Sequence, residues 1–557
     1  MTETNAIGVS RRNFLRLVAG AGLMSGAAGL VGCAPQTPSE TPTAATGADE
    51  AATASWRTAP EPIAEDQIVG TEKADVIVVG GGIAGVSTAA SALENGLSVI
   101  VLEANEAPRM TGLDFGCVNP TIAKENDVDI SEAEIYQLVR DWVHMSANRA
   151  RADIILNFVR HSGEAVDWIT EKAVAWGCRP TLAATRSLSD TYYNYTHTVE
   201  FADGPLYDLD AGAYGVNDVI GALRQEIEEA GGSYLTQTTA EQLEKDHDRV
   251  TAVVAKGPDG SYQRFEGTKA VVLCTGDFGA NPEMMADLTE FDFDTYPDQL
   301  DYVNVSTGVG TGHQMGLWAG GKMQFGTQPL MLLPMTYPYF YLRVNKLGQR
   351  YCNEDCDSVN MCINQMQQPA GTSWAIFDEK WRTEIPASLK VSGGMSWDQD
   401  FRELGTPWSE EVEEAFLTYE KDAGQLVVAD TLEELAEACG LPLDELKATV
   451  DRYNGLAAAG RDDDFGKRPE LMTAITEPPF YALRMQSMLC VSVGGLNVDV
   501  NSQVLSEDRT PIPGLYAVGN TAGGLFGVDY NEAPVPGVSL GRCVTFGKLL
   551  GEHLATL

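Results

Sequence analysis

The chain has 557 residues, 44% of them hydrophobic, and a formal net charge of −41. That length and apolar content can bury the cores of two domains. The acidity excludes a protein that grips nucleic-acid phosphates, and no stretch behind the N-terminal segment is long and apolar enough to span a bilayer.

Residues 1–33 read as a targeting segment. Ser10-Arg11-Arg12-Asn13-Phe14-Leu15 resembles a twin-arginine export signal, with a short apolar region over residues 17–31. Such a signal predicts a protein on the outer face of the cytoplasmic membrane or in the periplasm. Leu30-Val31-Gly32-Cys33 has the form of a lipobox, in which a lipidated Cys33 ties the chain to the membrane. The alternative is a small-residue cleavage region that contains a cysteine. Residues 34–72, rich in Ala, Thr, Pro and Glu, read as a disordered tether.

The apolar run Val76-Ile77-Val78-Val79 predicts a strand. It leads into Gly80-Gly81-Gly82-Ile83-Ala84-Gly85, a small-residue helix over residues 84–93, and a second strand over 99–102 that ends on Glu103-Ala104. This is the βαβ setting of a dinucleotide fingerprint. Gly80, Gly82 and Gly85 permit a tight turn and close approach of a pyrophosphate, and Ile83 and Ala84 open a helix whose N–H groups are free. Glu103, with Ala104 beside it, stands where a carboxylate accepts ribose hydroxyls.

Helical spacing follows over residues 130–173 and 217–230, the latter with Asn217 as an N-cap. Residues 249–255 and 269–274 read as strands, the second running into Thr275-Gly276-Asp277-Phe278-Gly279-Ala280-Asn281-Pro282-Glu283-Met284. Residues 290–470 differ in character, with aromatic and Met clusters and helical patterns over 431–439 and 444–453, and read as an inserted domain. Strand and Gly-turn chemistry returns at residues 494–499 and 514–520, and residues 538–550 show helical spacing. The ten cysteines form no disulfide framework; Cys352, Cys356 and Cys362 match no ferredoxin spacing and read as buried thiols near a cofactor. None of the six histidines has metal-ligand spacing, so no metal is assigned.

Thr275 to Met284, Glu477-Pro478-Pro479-Phe480-Tyr481-Ala482-Leu483 and residues 513–520 together resemble the FAD-binding flavoproteins of the fumarate reductase and succinate dehydrogenase superfamily. The similarity covers roughly residues 73–553 and is strongest to exported fumarate and urocanate reductases and to 3-ketosteroid dehydrogenases. It implies an α/β fold with an α+β insertion. A Rossmann-like FAD-binding domain (73–289 and 471–557) would carry a capping, substrate-binding domain (290–470). It also implies non-covalent FAD, held additionally by Thr275, Gly276, Gly519, Asn520, Ser539 and Leu540. The helix over 538–550 would aim its positive end at the flavin.

In the fumarate reductase branch an arginine that grips a substrate carboxylate corresponds to Pro534 here, and a family histidine corresponds to Val491. An apolar side chain cannot hold a carboxylate, so a small dicarboxylate is not the expected substrate. Tyr530 and Pro534-Val535-Pro536-Gly537 resemble an element of ketosteroid dehydrogenases in which a tyrosine and a backbone N–H polarise a carbonyl, a role implied for Tyr530 and Gly537. Gly348-Gln349-Arg350-Tyr351-Cys352-Asn353-Glu354 and residues 375–382 resemble the segments that deliver the proton. They imply Arg382 as general acid and Glu354 as relay carboxylate, although Asp357 and Ser358 stand where a relay arginine is expected. Two aromatic clusters (Tyr192, Tyr193 and Tyr195; Tyr337, Tyr339, Phe340 and Tyr341) read either as pocket lining or as core, with Tyr339 and Tyr341 the candidate substrate contacts. The expected activity is reduction of a C=C bond beside a carbonyl, as in anaerobic respiration. Electrons would come from a separate membrane, cytochrome or quinone-linked donor. The alternative is a ketosteroid-type dehydrogenase running oxidatively.

Overall fold

The computed structural model describes residues 55–108, 112–183, 198–207, 213–290, 302–334, 340–356, 358–392, 408–530 and 535–557. The central strand Ile68–Val79 pairs in parallel with Val99–Leu102 on one side and Tyr262–Leu273 on the other. Ser233–Leu235 extends the sheet beyond the first neighbour and Pro511–Ala517 beyond the second, both in parallel. Val76 to Val79, Val99 to Leu102 and Ala270 to Leu273 are buried on both faces, which is why these strands read as unbroken aliphatic runs rather than as alternation. An antiparallel hairpin of Thr239–Asp246 and Arg249–Lys256 continues from Tyr262–Leu273.

Two helices cover one face of this sheet because glycines let them touch. A Cβ on Gly551 of the terminal helix Val538–Ala555 would lie 2.6 Å from the Ala92 nitrogen, and one on Gly547 would lie 2.8 Å from the Ser87 Cβ, both on helix Ile83–Glu94. The other face buries Ile77, Val79, Val271 and Leu273 against Phe158, Phe278, Met284 and Leu496.

The inserted layer is a four-stranded antiparallel sheet in the order Leu342–Asn345, Ser373–Asp378, Phe480–Met485, Leu426–Ala429. Leu342, Val344 and Ile376 pack on helices Leu432–Cys439 and Leu443–Ala459. Tyr341, Phe377 and Tyr481 pack on the opposite side with Trp381, Ile385 and Phe416. A three-stranded sheet of Tyr302–Asn304, Ser487–Ser492 and Leu330–Pro334 lies between this cap and the main sheet in the chain. Phe480–Met485 is a cap strand, so the cap layer continues past the boundary expected at residue 470.

Several local expectations change. The helical stretch over 130–173 is two helices, Glu132–Met145 and Ala152–Trp176. The chain between them is held by the Arg151 N–H donating to the Gly524 carbonyl at 2.8 Å. The helix expected from Asn217 starts at Gly215, and Asn217 instead returns its side-chain amide to the Tyr214 carbonyl at 3.2 Å. Residues 494–499 form isolated bridges through Leu496 and Val498 rather than a strand.

Candidate active site

Four parallel strands end side by side, and the loops that leave their carboxyl ends are Gly80–Gly82, Glu103–Ala104, Cys274–Gly276 and Val518–Asn520. That edge is where open α/β sheets bind ligands. Gly80 has φ 102°, and a Cβ there would sit 2.3 Å from the Cys274 carbonyl oxygen, so only glycine lets the two loops abut. A Cβ on Gly85 would lie 1.9 Å from the Gly80 oxygen. Helix Ile83–Glu94 starts at Gly82 with no side-chain cap, and Val86 is the donor to the Gly82 carbonyl at 3.0 Å. The N–H groups of Ile83, Ala84 and Gly85 therefore have no acceptor within the helix, and the helix dipole adds positive potential there. Glu103 is buried; it accepts from the Gly81 N–H at 2.9 Å and from the Asn105 backbone and side-chain nitrogens at 2.8 and 2.9 Å. Its carboxylate keeps lone pairs for a ribose diol, and Ala104 beside it is exposed.

Further along the crevice, the Thr275 hydroxyl accepts from the Gly312 N–H at 2.9 Å, and Thr521 donates to the Gly276 carbonyl at 3.0 Å. Gly276 has φ 79°, and a Cβ added to it would meet nothing within 4 Å, so its face is open. Gly519, at φ 72°, brings its backbone against Ala84 and Cys543. Asn520 turns its side-chain oxygen to Arg542 Nη2 at 2.5 Å. The terminal helix begins at Gly537 (φ 68°), whose carbonyl accepts from the Gly116 N–H at 2.9 Å. The Ser539 N–H donates to the Tyr530 hydroxyl oxygen at 3.4 Å, and the Leu540 side chain lies over Gly112. Tyr530 is 2% exposed and packs on Phe526 with ring centroids 5.2 Å apart. Tyr530 and the start of this helix meet through the Ser539 N–H rather than that of Gly537. The crevice fits a dinucleotide whose pyrophosphate lies on helix Ile83–Glu94 and whose far ring system reaches helix Val538–Ala555.

The FAD binding domain family matches residues 75–533. This chain belongs to that family. The flavoprotein is 27% identical over 515 residues to the vinyl phenol reductase of Lactiplantibacillus plantarum, covering 86% of this chain and 96% of that one. It is 25% identical over 576 residues to the 3-oxosteroid 1-dehydrogenase of Mycolicibacterium smegmatis, covering 86% and 97%. The open conformation of a flavocytochrome c3 fumarate reductase shares its fold, with a TM-score of 0.63 at 21% identity over 87% of this chain and 78% of that one. The expected kinship is therefore found, and the chain is an FAD-dependent oxidoreductase.

Two buried groups of this flavoprotein lay outside the expected site. His313, on helix Thr311–Trp318, points Nε2 at the carbonyls of Asn520 (3.2 Å) and Gly494 (3.4 Å), so Nε2 carries the proton. Burial pushes its pKa down to about 4, and Nδ1 has no partner. Arg542 is 2% exposed, donates to the Val493 carbonyl at 3.2 Å and lies over the Phe526 ring; burial lowers its pKa to about 10. Gly310-Thr311-Gly312-His313 entering a helix was the available signal for the first. Arg542 carried none, being a lone charge in an apolar helical pattern.

The cap residues correct three sequence expectations. Arg382 donates to Glu379 (2.9 Å), Glu410 (2.6 Å) and Glu414 (3.2 Å), and its side chain is 30% exposed. Its hydrogen bond to Glu379 leads the effects that raise its pKa further, so this guanidinium in a partly exposed acidic cluster is a poor proton donor. Glu354 is fully buried in the cap: Arg350 binds both its oxygens at 2.9 and 2.7 Å, and Lys467 lies 3.5 Å away. Burial would raise its pKa, but Lys467 and Arg350 outweigh burial and hold it below the ordinary carboxylate range. It is an ionised structural partner rather than a free relay. Tyr341 is 1% exposed and stacks on Phe377 at 4.7 Å, which in turn stacks on Tyr481 at 4.9 Å, so it is cap core and not pocket lining. Tyr339, Tyr337, Tyr192, Tyr193, Tyr195, Pro534, Asp357 and the N-terminal segment with Arg11, Arg12 and Cys33 lie outside the described residues.

Proposed function

We propose that this flavoprotein reduces an activated C=C bond conjugated to a carbonyl, as an enone or enoate reductase. The observation that carries the reading is the buried Tyr530 hydroxyl accepting from the Ser539 N–H in the first turn of helix Val538–Ala555. Bound FAD supplies hydride chemistry there. The hydroxyl of Tyr530 and the N–H groups of the helix's first turn receive the substrate oxygen on which negative charge develops, and their burial strengthens that interaction. Val491 and Pro534, apolar where the fumarate reductase branch carries a histidine and a carboxylate-gripping arginine, disfavour a small dicarboxylate. The similarity to a vinyl phenol reductase supports a conjugated, larger acceptor. The similarity to a 3-oxosteroid 1-dehydrogenase supports the second reading, in which the same tyrosine accepts a proton and the reaction runs oxidatively. In either direction the reading includes export through the twin-arginine signal, anchoring through Cys33, and electron exchange with a separate membrane or cytochrome partner.

The test is anoxic oxidation of reduced methyl viologen by the FAD-loaded protein across cinnamate, methyl cinnamate, 4-vinylphenol, a steroid enone and fumarate. Turnover of a conjugated acceptor with silence on fumarate supports the reductase. Silence on all, with reduction of a dye by a saturated 3-ketosteroid, replaces it with the dehydrogenase. Rapid turnover of fumarate overturns the substrate class.

A further inference from the structure

Arg542 is a buried charge that the proposed chemistry leaves unused. It stands one turn inside helix Val538–Ala555 and is 2% exposed. Side chains on a helix lean back toward its N-terminus, and the guanidinium accordingly meets the Gly519–Thr521 turn at the crevice. Nη2 donates to the Asn520 side-chain oxygen at 2.5 Å, and Nη1 donates to the carbonyls of Val493 and Ala522 at 3.2 and 3.5 Å. Nε is buried and has no partner. The guanidinium lies 4.8 Å from the centroid of the Phe526 ring, which packs on Tyr530. Its contacts thus join the turn that carries Asn520 to the aromatic pair that carries the proposed catalytic hydroxyl.

None of these partners is a carboxylate. The ionisable groups whose charge acts on Arg542 are the Cys543 thiol and the Tyr530 phenol. Burial pushes the thiol up to about 11, so it is uncharged at neutral pH. Asp499 lines a small cavity with Arg542 and Gly519, but its Oδ1 accepts from the N–H groups of Asn501 and Gln503, each at 2.9 Å. His313, the other side chain turned to Asn520, is held neutral to about pH 4 by burial. A guanidinium keeps its proton, and an uncompensated buried charge is destabilising. In the interior its field is only weakly screened by water and salt. The fold therefore holds a standing positive charge beside the crevice, at the helix where the flavin ring is expected. What offsets it is a negative charge that arises in the crevice.

We propose that Arg542 stabilises the negative charge of the reduced flavin and so sets the cofactor's reduction potential. Reduction takes two electrons from an external one-electron donor and one proton from solvent, and leaves one negative charge on the ring system. Arg542 favours that anion over the neutral oxidised ring, which moves the potential upward. A raised potential suits an enzyme fed by a weakly reducing, membrane-linked donor. The effect needs FAD in the crevice and is the same whether the substrate is reduced or oxidised, so its test is independent of the reductase reading.

The experiment measures the two-electron midpoint potential of bound FAD by anaerobic titration, for the unaltered full chain, R542Q and R542K. The flavin-to-protein absorbance ratio reports FAD content in the same samples. For a two-electron couple, a tenfold change in the preference for reduced over oxidised flavin is about 30 mV. R542Q should hold FAD yet lose at least tenfold in that preference. R542K, which keeps the charge without the fork, should recover at least half of the loss in potential. An unchanged potential in R542Q, or equal falls in both variants, overturns the proposal and leaves Arg542 as a brace of the Asn520 turn. Should R542Q not fold or not retain FAD, the pH dependence of the potential in the unaltered protein replaces it. An anionic reduced flavin takes up one proton per electron pair, so the potential should change by about 30 mV per pH unit throughout the range from pH 8 to 5. A steepening to about 60 mV per unit means two protons and a neutral reduced ring, and overturns the proposal.

Discussion

Tyr530 is the residue on which the proposed chemistry turns, because its hydroxyl and the Ser539 N–H form a buried pair at a helix start. Removing only the hydroxyl tests this, since the ring's packing on Phe526 survives in phenylalanine. Y530F should keep its FAD content and lose about 10²-fold in kcat with the best acceptor, the usual scale for one positioned proton-active group. Flavin absorbance and viologen turnover on the same sample separate the two effects. A second prediction concerns acid. His313 is held neutral to about pH 4 by burial, whereas an unfolded histidine protonates near 6.5. The unfolded chain therefore binds the extra proton first, and stability that is full above pH 6.5 is lost as pH falls toward 4, by on the order of 3 kcal/mol for this group. Glu384 acts oppositely: burial raises its pKa to about 7. The folded state favours its protonated form, and that contribution is lost as pH rises from 4.5 through 7. Tm measured from pH 8 to 4.5 should fall less steeply in H313N than in the unaltered protein, and E384Q should gain most at the alkaline end.

At the scale of elements, glycine positions and buried ion pairs make opposite demands. Gly85 is the point where helix Ile83–Glu94 turns against the Gly80 loop, and a Cβ there would collide with backbone 1.9 Å away. G85A should purify with less than a tenth of the normal flavin-to-protein absorbance ratio, because the displaced helix start no longer meets a pyrophosphate. In the cap, Glu354 neutralises Arg350 and lies near Lys467, both buried. E354Q would leave these cations undercompensated beside Asp462 alone, at a cost of about 3–5 kcal/mol; calorimetry should show the loss while the FAD crevice still binds cofactor. The same contrast explains what the sequence made legible. The βαβ unit, the strand into Thr275 and the Gly-rich return at residues 514–520 were readable because local apolar runs and turn glycines specify them. The roles of Arg382, Glu354 and Tyr341 were not, because helix and strand segments can match a family string while their side chains pair with partners more than a hundred residues away, as Glu379 does with Tyr481 and Arg350 with Asp462. Arg542 was invisible for the same reason: a polar residue in a largely apolar helical pattern gains meaning only from what surrounds it.

For the whole molecule, two properties depend on one another if the export reading holds. A twin-arginine route carries proteins that are already folded, and this fold encloses its dinucleotide crevice between Gly80, Glu103 and Gly519, loops contributed by both ends of the sequence. The cofactor must then be taken up before export, while the chain is still in the cytoplasm. Replacing Arg11 and Arg12 together by lysine should therefore leave a full-length, FAD-loaded precursor in the cytoplasmic fraction, active with reduced viologen once cells are broken. C33A should still be exported but leave the membrane fraction for the soluble one. The decisive combination is G85A with the signal intact: a cofactor-free chain lacks the ligand that stabilises the folded state by mass action, so its exported fraction should fall severalfold. Immunoblots of fractionated cells check all three. Export of G85A at the normal level would show that folding does not wait for FAD, and export of the double-lysine variant would remove the twin-arginine route altogether.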